Sequence, residues 1–168
     1  MNDFAQQGET IRIAGIVRES IVDGPGIRFV VFSQGCPHRC KGCHNEATHD
    51  FEGGYDCGIN KILAEIDKNP LLQGVTFSGG EPFCQPGAFY RLGVEIKKRG
   101  LDLVAYSGYT LEELQAISKE NPQVEKLLGL IDYLVDGPFL LEEKDLTLEF
   151  RGSRNQRFIR MVDVRNKK

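Results

Sequence analysis

Three cysteines, Cys36, Cys40 and Cys43, lie close together in the string C-P-H-R-C-K-G-C, with the spacing C-x3-C-x2-C. The cysteine runs of all-cysteine ferredoxin clusters have other spacings and supply a fourth Cys. Three thiolates would leave one iron of a four-iron cluster without a protein ligand, and an open iron can bind a substrate directly. The spacing therefore predicts an iron–sulfur cluster that does chemistry on a ligand, whereas a closed cluster only carries electrons.

Zinc is the alternative at this point. A Cys3His zinc site would need His38, His44 or His49 as its fourth ligand. Structural zinc usually takes four ligands in paired C-x2-4-C and H-x3-5-H spacings. His44 directly follows Cys43 and His38 lies inside the cysteine string, so neither has that pairing. The spacing favours the cluster but leaves zinc open.

Composition indicates an ordinary globular chain, since 40% of its 168 residues are hydrophobic and the formal net charge is −3. That length predicts a single domain over residues 1–168. We expect neither a membrane span nor a secretory signal, because no long apolar run and no apolar N-terminal region is present. Five cysteines, three of them clustered, do not suit a disulfide framework. A reducing, cytoplasmic location is therefore expected.

Charge is unevenly distributed, since residues 151–168 carry seven Arg or Lys against one Asp. This segment is either a solvated tail or a basic surface that meets a partner protein or an anionic group. The acidic overall charge argues against nucleic acid as a partner.

Short apolar, β-branched runs alternate with segments of helical periodicity, which predicts an α/β fold. We predict a partial (β/α) barrel or an open, curved, mostly parallel sheet with helices on its outer face. A complete eight-unit barrel typically needs about 250 residues, more than this chain has. The predicted strands are 11–17, 28–33, 74–78, 101–106, 131–135 and 158–164, and the predicted helices centre on 59–66, 89–96, 110–118 and 122–128.

Glycine-rich motifs follow three of these strands, where ligands bind in open α/β sheets. The strand 74–78 runs into Gly79, Gly80 and Glu81. Two glycines let the backbone approach a ligand closely, and the Glu81 carboxylate can accept hydrogen bonds from an ammonium group. Taken alone, this motif could also be a plain turn with a surface glutamate.

Together, the C-x3-C-x2-C string and the Gly-Gly-Glu stretch resemble the radical S-adenosylmethionine (SAM) enzymes. That family holds a 4Fe–4S cluster with three cysteines and grips the methionine amine of SAM with a Gly-Gly-Glu stretch. The resemblance implies that Cys36, Cys40 and Cys43 ligate the cluster. One departure is Gly42, because the residue before the third cysteine is often aromatic in the family. The implied SAM contacts are Gly42, Cys43, His44, Gly79, Gly80, Glu81, Ser107, Gly108 and Asp136.

Further stretches narrow the resemblance to the activases of glycyl radical enzymes. The segment S-I-V-D-G-P-G-I-R-F-V-V-F, residues 20–32, is similar to the segment that precedes the cluster in those activases. The stretches Y-S-G-Y-T, V-D-G-P-F and R-G-S-R-N-Q-R, in residues 106–157, are similar to the activating proteins of anaerobic ribonucleoside-triphosphate reductase. This likeness covers nearly the whole chain, from about residue 11 to 160.

The resemblance implies a reaction and its partners. SAM would be cleaved reductively to methionine and a 5′-deoxyadenosyl radical, which would create a glycyl radical on the reductase. Reduced flavodoxin or ferredoxin would donate the electron. Activation of another glycyl radical enzyme, such as pyruvate formate-lyase, is the first alternative. A non-catalytic electron-transfer or zinc-binding module is the second.

Several side chains are harder to assign. Asp136 could instead be a solvent-facing turn residue. His38 is expected either to face solvent or to donate a hydrogen bond to a cluster sulfur. Cys57 and Cys84 are expected to be buried and to behave as small hydrophobic residues. Asn155, Gln156 and Arg157 either order the C-terminal segment or touch the partner.

Overall fold

A computed structural model of the protein describes residues 9–167, and within that range seven strands form one sheet in the order β3-β1-β2-β4-β5-β6-β7. The strands are β1 (Thr10–Ser20), β2 (Arg28–Ser33), β3 (Tyr55–Gly58), β4 (Gly74–Gly79), β5 (Asp102–Tyr106), β6 (Tyr133–Asp136) and β7 (Arg157–Arg160). The α-helices are α1 (Ile59–Asp67), α2 (Pro86–Lys98), α3 (Leu111–Ser118), α4 (Pro122–Leu130) and α5 (Met161–Arg165). Short 3-10 helices span Glu46–Thr48, Pro82–Cys84 and Leu141–Glu143.

The sheet is mixed. The central strands β2, β4, β5 and β6 pair in parallel, whereas the flanking pairs β3–β1, β1–β2 and β6–β7 are antiparallel. The predicted α/β class is confirmed, but the expected mostly parallel sheet is restricted to its centre. The connection between β1 and β2, which we call the Asp-Gly loop (residues 21–27), is too short for the crossover that a parallel pair requires.

Most predicted elements are confirmed, and β2 has the predicted bounds. The prediction of a strand over 158–164 is wrong in its second half, where α5 begins at Met161. Met161 and Val164 both pack against the core, and that three-residue spacing belongs to a helix face. Strand β3 was not predicted because its sequence, Y-D-C-G, lacks apolar alternation. It lies at the edge of the sheet.

One face of the sheet packs against the helices. Alternate strand residues such as Phe29, Val75 and Leu103 join the apolar faces of α1 to α4 in the main core cluster. Because side chains alternate across a strand, the residues between them point to the opposite face. Near the carboxyl ends of β2, β4 and β5, these are Phe32, Ser78 and Tyr106. The core therefore lies on one face of the sheet and a cavity on the other.

A fully buried arginine anchors the Asp-Gly loop on the cavity face. Arg28 donates hydrogen bonds from Nη1 to the Pro25 carbonyl at 2.8 Å and from Nε to Thr76 Oγ1 at 2.8 Å, and it forms an ion pair with Asp102. Thr76 in turn donates to the carbonyl of Asp23 at 2.7 Å. The loop is thus fixed from beneath by β4 and β5.

None of the helices within residues 9–167 combines the length and the apolar character needed to cross a membrane.

Candidate active site

The three clustered cysteines lie in the loop that follows β2, here called the cysteine loop (residues 34–50). The buried Gln34 side chain holds its two ends together by donating to the carbonyls of Ala47 at 3.1 Å and Asp50 at 2.6 Å. Backbone bonds from Gly35 to Thr48 and from Cys36 to His49 close the loop further. Sequence reasoning missed Gln34, because one amide beside a cysteine string carries no recognisable signal.

All three cysteines line the same cavity. Cys36 is buried, whereas Cys40 and Cys43 are partly exposed, and a turn joins the latter two through a bond from Cys43 N to the Cys40 carbonyl at 3.1 Å. Burial raises the pKa of the Cys36 and Cys43 thiols, and the charge of Glu81 adds to this effect at Cys36. Because thiolates are the ligating species, metal loading at this loop releases protons and is favoured as pH rises.

No group of three or more His, Cys, Asp or Glu side chains in residues 9–167 converges closely enough to hold a single metal ion. The three thiols nevertheless line the same cavity. In a 4Fe–4S cluster each thiolate binds a different iron.

The Gly-Gly-Glu stretch after β4 is joined to the cysteine loop by backbone hydrogen bonds. Gly80 N donates to the Ser33 carbonyl and Glu81 N to the Gly35 carbonyl, both at 2.8 Å. A Cβ atom on Gly80 would collide with the backbone of Gly35 and Thr48. A glycine is therefore required here for the two loops to approach each other.

Glu81 is 0% exposed, and its carboxylate is surrounded by protein donors. Its Oε1 atom accepts from His38 Nε2 at 2.7 Å, from Ser107 Oγ at 2.8 Å and from Gly108 N at 2.9 Å. Its Oε2 atom accepts from Phe83 N at 3.1 Å. One carboxylate thus joins the cysteine loop, the β4 loop and the end of β5.

This geometry bears on the predicted role of Glu81 as an amine acceptor. Three protein donors bind Oε1, whereas Oε2 accepts one bond and keeps a second acceptor position, so amine binding by Glu81 stays a prediction beside its role in positioning the loops. His38 does not face solvent, as one expectation had it, whereas its hydrogen bond to a cluster sulfur stays a prediction. Its side chain is only 15% exposed and bonds to Glu81, and its ring contacts Tyr109 edge-on with centroids 4.4 Å apart.

Gly108 permits this placement of the histidine, because a Cβ atom at that position would overlap the His38 ring. The neighbouring Ser107 is almost completely buried, and besides donating to Glu81 it accepts a bond from Tyr109 N at 3.1 Å. The motif after β5 therefore shapes the site through both of its residues.

The cavity has a volume of about 780 Å³ and lies over the carboxyl ends of the parallel strands. Its floor includes Phe32, Ser78 and Tyr106 from the cavity face of the sheet. Most predicted site residues line it, namely Cys36, Cys40, Cys43, His44, Gly79, Gly80, Ser107 and Gly108, whereas Gly42, Glu81 and Asp136 do not. The structure thus brings together in one cavity residues from motifs that are far apart in the sequence.

The sequence of this chain is similar to those of known proteins. Residues 22–159 match the family model described as a 4Fe-4S single cluster domain. This chain is also similar to three anaerobic ribonucleoside-triphosphate reductase-activating proteins over 144 residues. The identity is 37% with the protein of Vibrio cholerae, 33% with that of Escherichia coli K12 and 31% with that of phage T4. Each match covers 81% of this chain, and 89%, 90% and 85% of the respective relative. The chain belongs to the family of anaerobic ribonucleoside-triphosphate reductase-activating proteins.

Among solved structures, QueE from Escherichia coli superposes with a TM-score of 0.51 at 18% identity. The superposition covers 62% of this chain and 55% of QueE, so it concerns the fold alone.

Asp136 is a buried residue that joins α3 to β7, and it is not the solvent-facing turn residue considered above. It is 1% exposed, accepts from Leu111 N at the start of α3 at 2.8 Å, and forms an ion pair with Arg157. Arg157 also reaches Glu112. The hydrogen bonds to Asp136 and Glu112 raise the pKa of Arg157, so its guanidinium stays charged.

The connection between β6 and β7, which we call the C-terminal loop (residues 137–156), forms the wall opposite the sheet floor. Asn155 donates to the Pro138 carbonyl at 2.7 Å, and Gln156 both accepts from Gly152 N at 2.8 Å and donates to the Gly137 carbonyl at 3.1 Å. The loop is tied to the floor by Tyr106, whose hydroxyl donates to the Phe150 carbonyl at 2.6 Å. Asn155 and Gln156 therefore order this segment.

The remaining cysteines lie outside the cavity lining. Cys57 packs partly buried against the core, as expected, whereas Cys84 is exposed, contrary to expectation.

We predict that Glu81→Gln will lower the free energy of unfolding of the metal-free protein. Either orientation of the amide turns its NH2 group toward a backbone or side-chain donor, and one buried donor then loses its acceptor. Such a loss costs about 1–3 kcal/mol. Urea unfolding followed by circular dichroism measures the change.

Glu46→Gln is the matched control, because Glu46 lies exposed on the cysteine loop and its side chain has no hydrogen-bond partner there. If both variants unfolded at the same urea concentration as the parent chain, the buried carboxylate would not hold the three loops together.

Proposed function

We propose that this protein is a radical SAM activase that generates a glycyl radical on anaerobic ribonucleoside-triphosphate reductase. The observation that carries the proposal is that three cysteines, a Gly-Gly backbone and the end of β5 share one cavity. Membership of the activating-protein family supports the reductase as the partner. We further propose that residues 1–168 act as one domain.

The residues fit a 4Fe–4S cluster with three protein ligands. Cys36, Cys40 and Cys43 would each bind one iron and leave one iron without a protein ligand. When bound, the cluster would supply one electron, received from reduced flavodoxin or ferredoxin, for the cleavage of SAM at the sulfonium–C5′ bond to methionine and a 5′-deoxyadenosyl radical. A hydrogen atom from a glycine Cα of the reductase would complete 5′-deoxyadenosine and leave a stored glycyl radical.

SAM would lie against the strand ends. We assign the contacts with SAM to the backbone of Gly79 and Gly80 and to the cavity-lining residues His44, Ser107 and Gly108. The Gly42 backbone would approach the adenine, beside Cys43. Glu81 and Asp136 would position the loops through their bonds to protein donors, and Glu81 would also accept a hydrogen bond from the amine of SAM.

The sheet would then be a partial barrel whose inner face is the cavity. Helices α1 to α4 cover the outer face, and the C-terminal loop covers part of the inner one. The reductase would present its glycine through the open side. Ile21 and Val22 of the Asp-Gly loop line the cavity and are 75% and 70% exposed, and a docked partner would cover them. That contact would also exclude water and competing hydrogen donors from the radical.

Replacing Cys36, Cys40 or Cys43 by Ala should reduce bound iron strongly, because each replacement removes one of three ligands. Cys57→Ala and Cys84→Ala are the matched controls and should keep the iron of the parent protein. Iron and labile sulfide are measured after anaerobic reconstitution. Equal iron in all five variants would refute the three-cysteine ligand set.

The function itself is tested by incubating the reconstituted protein with SAM, a reductant and the purified reductase. We expect a glycyl radical EPR signal on the reductase and the release of 5′-deoxyadenosine, both dependent on SAM. Pyruvate formate-lyase in place of the reductase should give no signal. A signal with pyruvate formate-lyase alone would assign the activase to another partner, and no radical with either would refute the function.

A further inference from the structure

Arg151 has an unusual position among the buried polar groups. Of the buried side-chain nitrogen and oxygen atoms in residues 9–167, its Nε is the one without a hydrogen-bond partner. The rest of its guanidinium is weakly held, by one bond from Nη1 to the Gln156 carbonyl at 3.5 Å. A guanidinium has five donors, and a buried donor without an acceptor costs free energy. The Nε atom of Arg151 is therefore a donor without an acceptor among the described residues.

The position of Arg151 identifies where that acceptor would be. Arg151 lines the cavity from the C-terminal loop, and the same loop lies against the cysteine loop at two points. Phe139 contacts the His44 ring with centroids 5.4 Å apart, and Leu141 lies against Gly42. The wall that bears Arg151 therefore closes over the residues around Cys43.

The charges around the cavity make Arg151 distinct. No other Lys or Arg side chain in the described part of the chain lines the cavity, whereas Asp23, Asp145 and Glu149 do. Arg151 has no carboxylate within 4.0 Å among residues 9–167. Its neighbour Asp145 is occupied by hydrogen bonds from Thr147.

Other arginines of the basic segment already have internal partners. Arg157 pairs with Asp136 and Glu112, and Arg165 donates to the carbonyls of Leu128 and Ile131. Arg151 is thus a cation in the cavity lining that forms no ion pair within the described residues, although its charge helps to lower the pKa of Asp145.

We propose that Arg151 binds the α-carboxylate of the methionyl part of SAM. This inference rests on the proposed function and adds a residue to it. The planar guanidinium fork matches a carboxylate, and charge-assisted bonds of this kind are strong. The guanidinium would donate to this carboxylate from its outer nitrogens, and also from Nε if the side chain rotated on binding.

A carboxylate on the partner polypeptide is the other source of the same chemistry. SAM is favoured because Arg151 lines the same cavity as the three cysteines, and its loop contacts the cysteine loop through Phe139 and Leu141. The sulfonium and amine of SAM also suit the acidic residues on the rest of the lining.

The test measures anaerobic equilibrium binding of SAM and of decarboxylated SAM to the cluster-loaded protein. Arg151→Gln should weaken SAM binding about tenfold to hundredfold, the effect expected for a charged hydrogen bond. Decarboxylated SAM lacks the acceptor, so its affinity should differ less than twofold between the parent and R151Q. Arg151→Lys keeps the positive charge but not the planar fork of donors, so its affinity for SAM should lie between those of the parent and R151Q.

Arg154→Gln is the matched control, since Arg154 lies three residues further along the same loop but is exposed and outside the cavity lining. It should bind SAM like the parent. The cluster absorbance and the thermal midpoint of each variant establish that it is folded and loaded with the cluster. If R151Q is not folded or not loaded, the SAM affinity of R151K compared with that of the parent tests the proposal instead.

The outcomes separate this inference from the function on which it rests. If the parent does not bind SAM, the proposed function fails and this inference with it. If the parent binds SAM but R151Q binds it equally well, or loses both ligands to the same extent, Arg151 does not contact the carboxylate. If R151Q keeps its SAM affinity and loses only affinity for the reductase, the carboxylate belongs to the partner and the inference is overturned.

Discussion

The buried carboxylate of Glu81 is the interaction on which the site depends. It accepts hydrogen bonds from His38 in the cysteine loop, from Ser107 and Gly108 after β5, and from Phe83 N in its own loop. A carboxylate removed from water is stable only when its acceptor positions are filled, so these three segments must meet around it. Because His38 lies between two of the clustered cysteines, that requirement also fixes where the cluster would be held.

The rest of the fold makes this meeting possible. Parallel pairing of β2, β4 and β5 brings the ends of three strands to one edge, and the glycines at positions 80 and 108 let the loops touch. The helices bury the opposite face, which leaves the cavity face free for a ligand. The ion pair between Asp136 and Arg157 and the bonds of Asn155 and Gln156 then hold the C-terminal loop across it. Arg157 and Arg165 of the basic segment are thus used internally, and Arg151 lines the cavity.

The sequence predicted the central strands, the helices and the cavity-lining motifs because each has a local signal, such as alternation, capping or a strand-end glycine. Thr110, for example, caps α3 by accepting from Glu113 N, and a threonine three residues before a glutamate is a recognisable capping pattern. Chemical type alone could not predict the role of Glu81, since a glutamate that binds an ammonium and one that binds protein donors look alike in sequence. His38, Gln34 and Asp136 were misjudged or missed for the same reason, because their partners are distant in the chain. Strand β3 and helix α5 depend on tertiary pairing and packing, which local patterns do not encode.

The central claim is that the cysteine loop holds a cluster with an iron open to SAM in the adjoining cavity. Low-temperature EPR of the anaerobically reconstituted, dithionite-reduced protein, recorded with and without SAM, tests it most directly. We expect a reduced 4Fe–4S signal whose g values change when SAM is added, because SAM would become a ligand of the open iron. A 4Fe–4S signal indifferent to saturating SAM would contradict the claim and indicate a closed electron-transfer centre, and tightly held zinc without iron would contradict it more fundamentally.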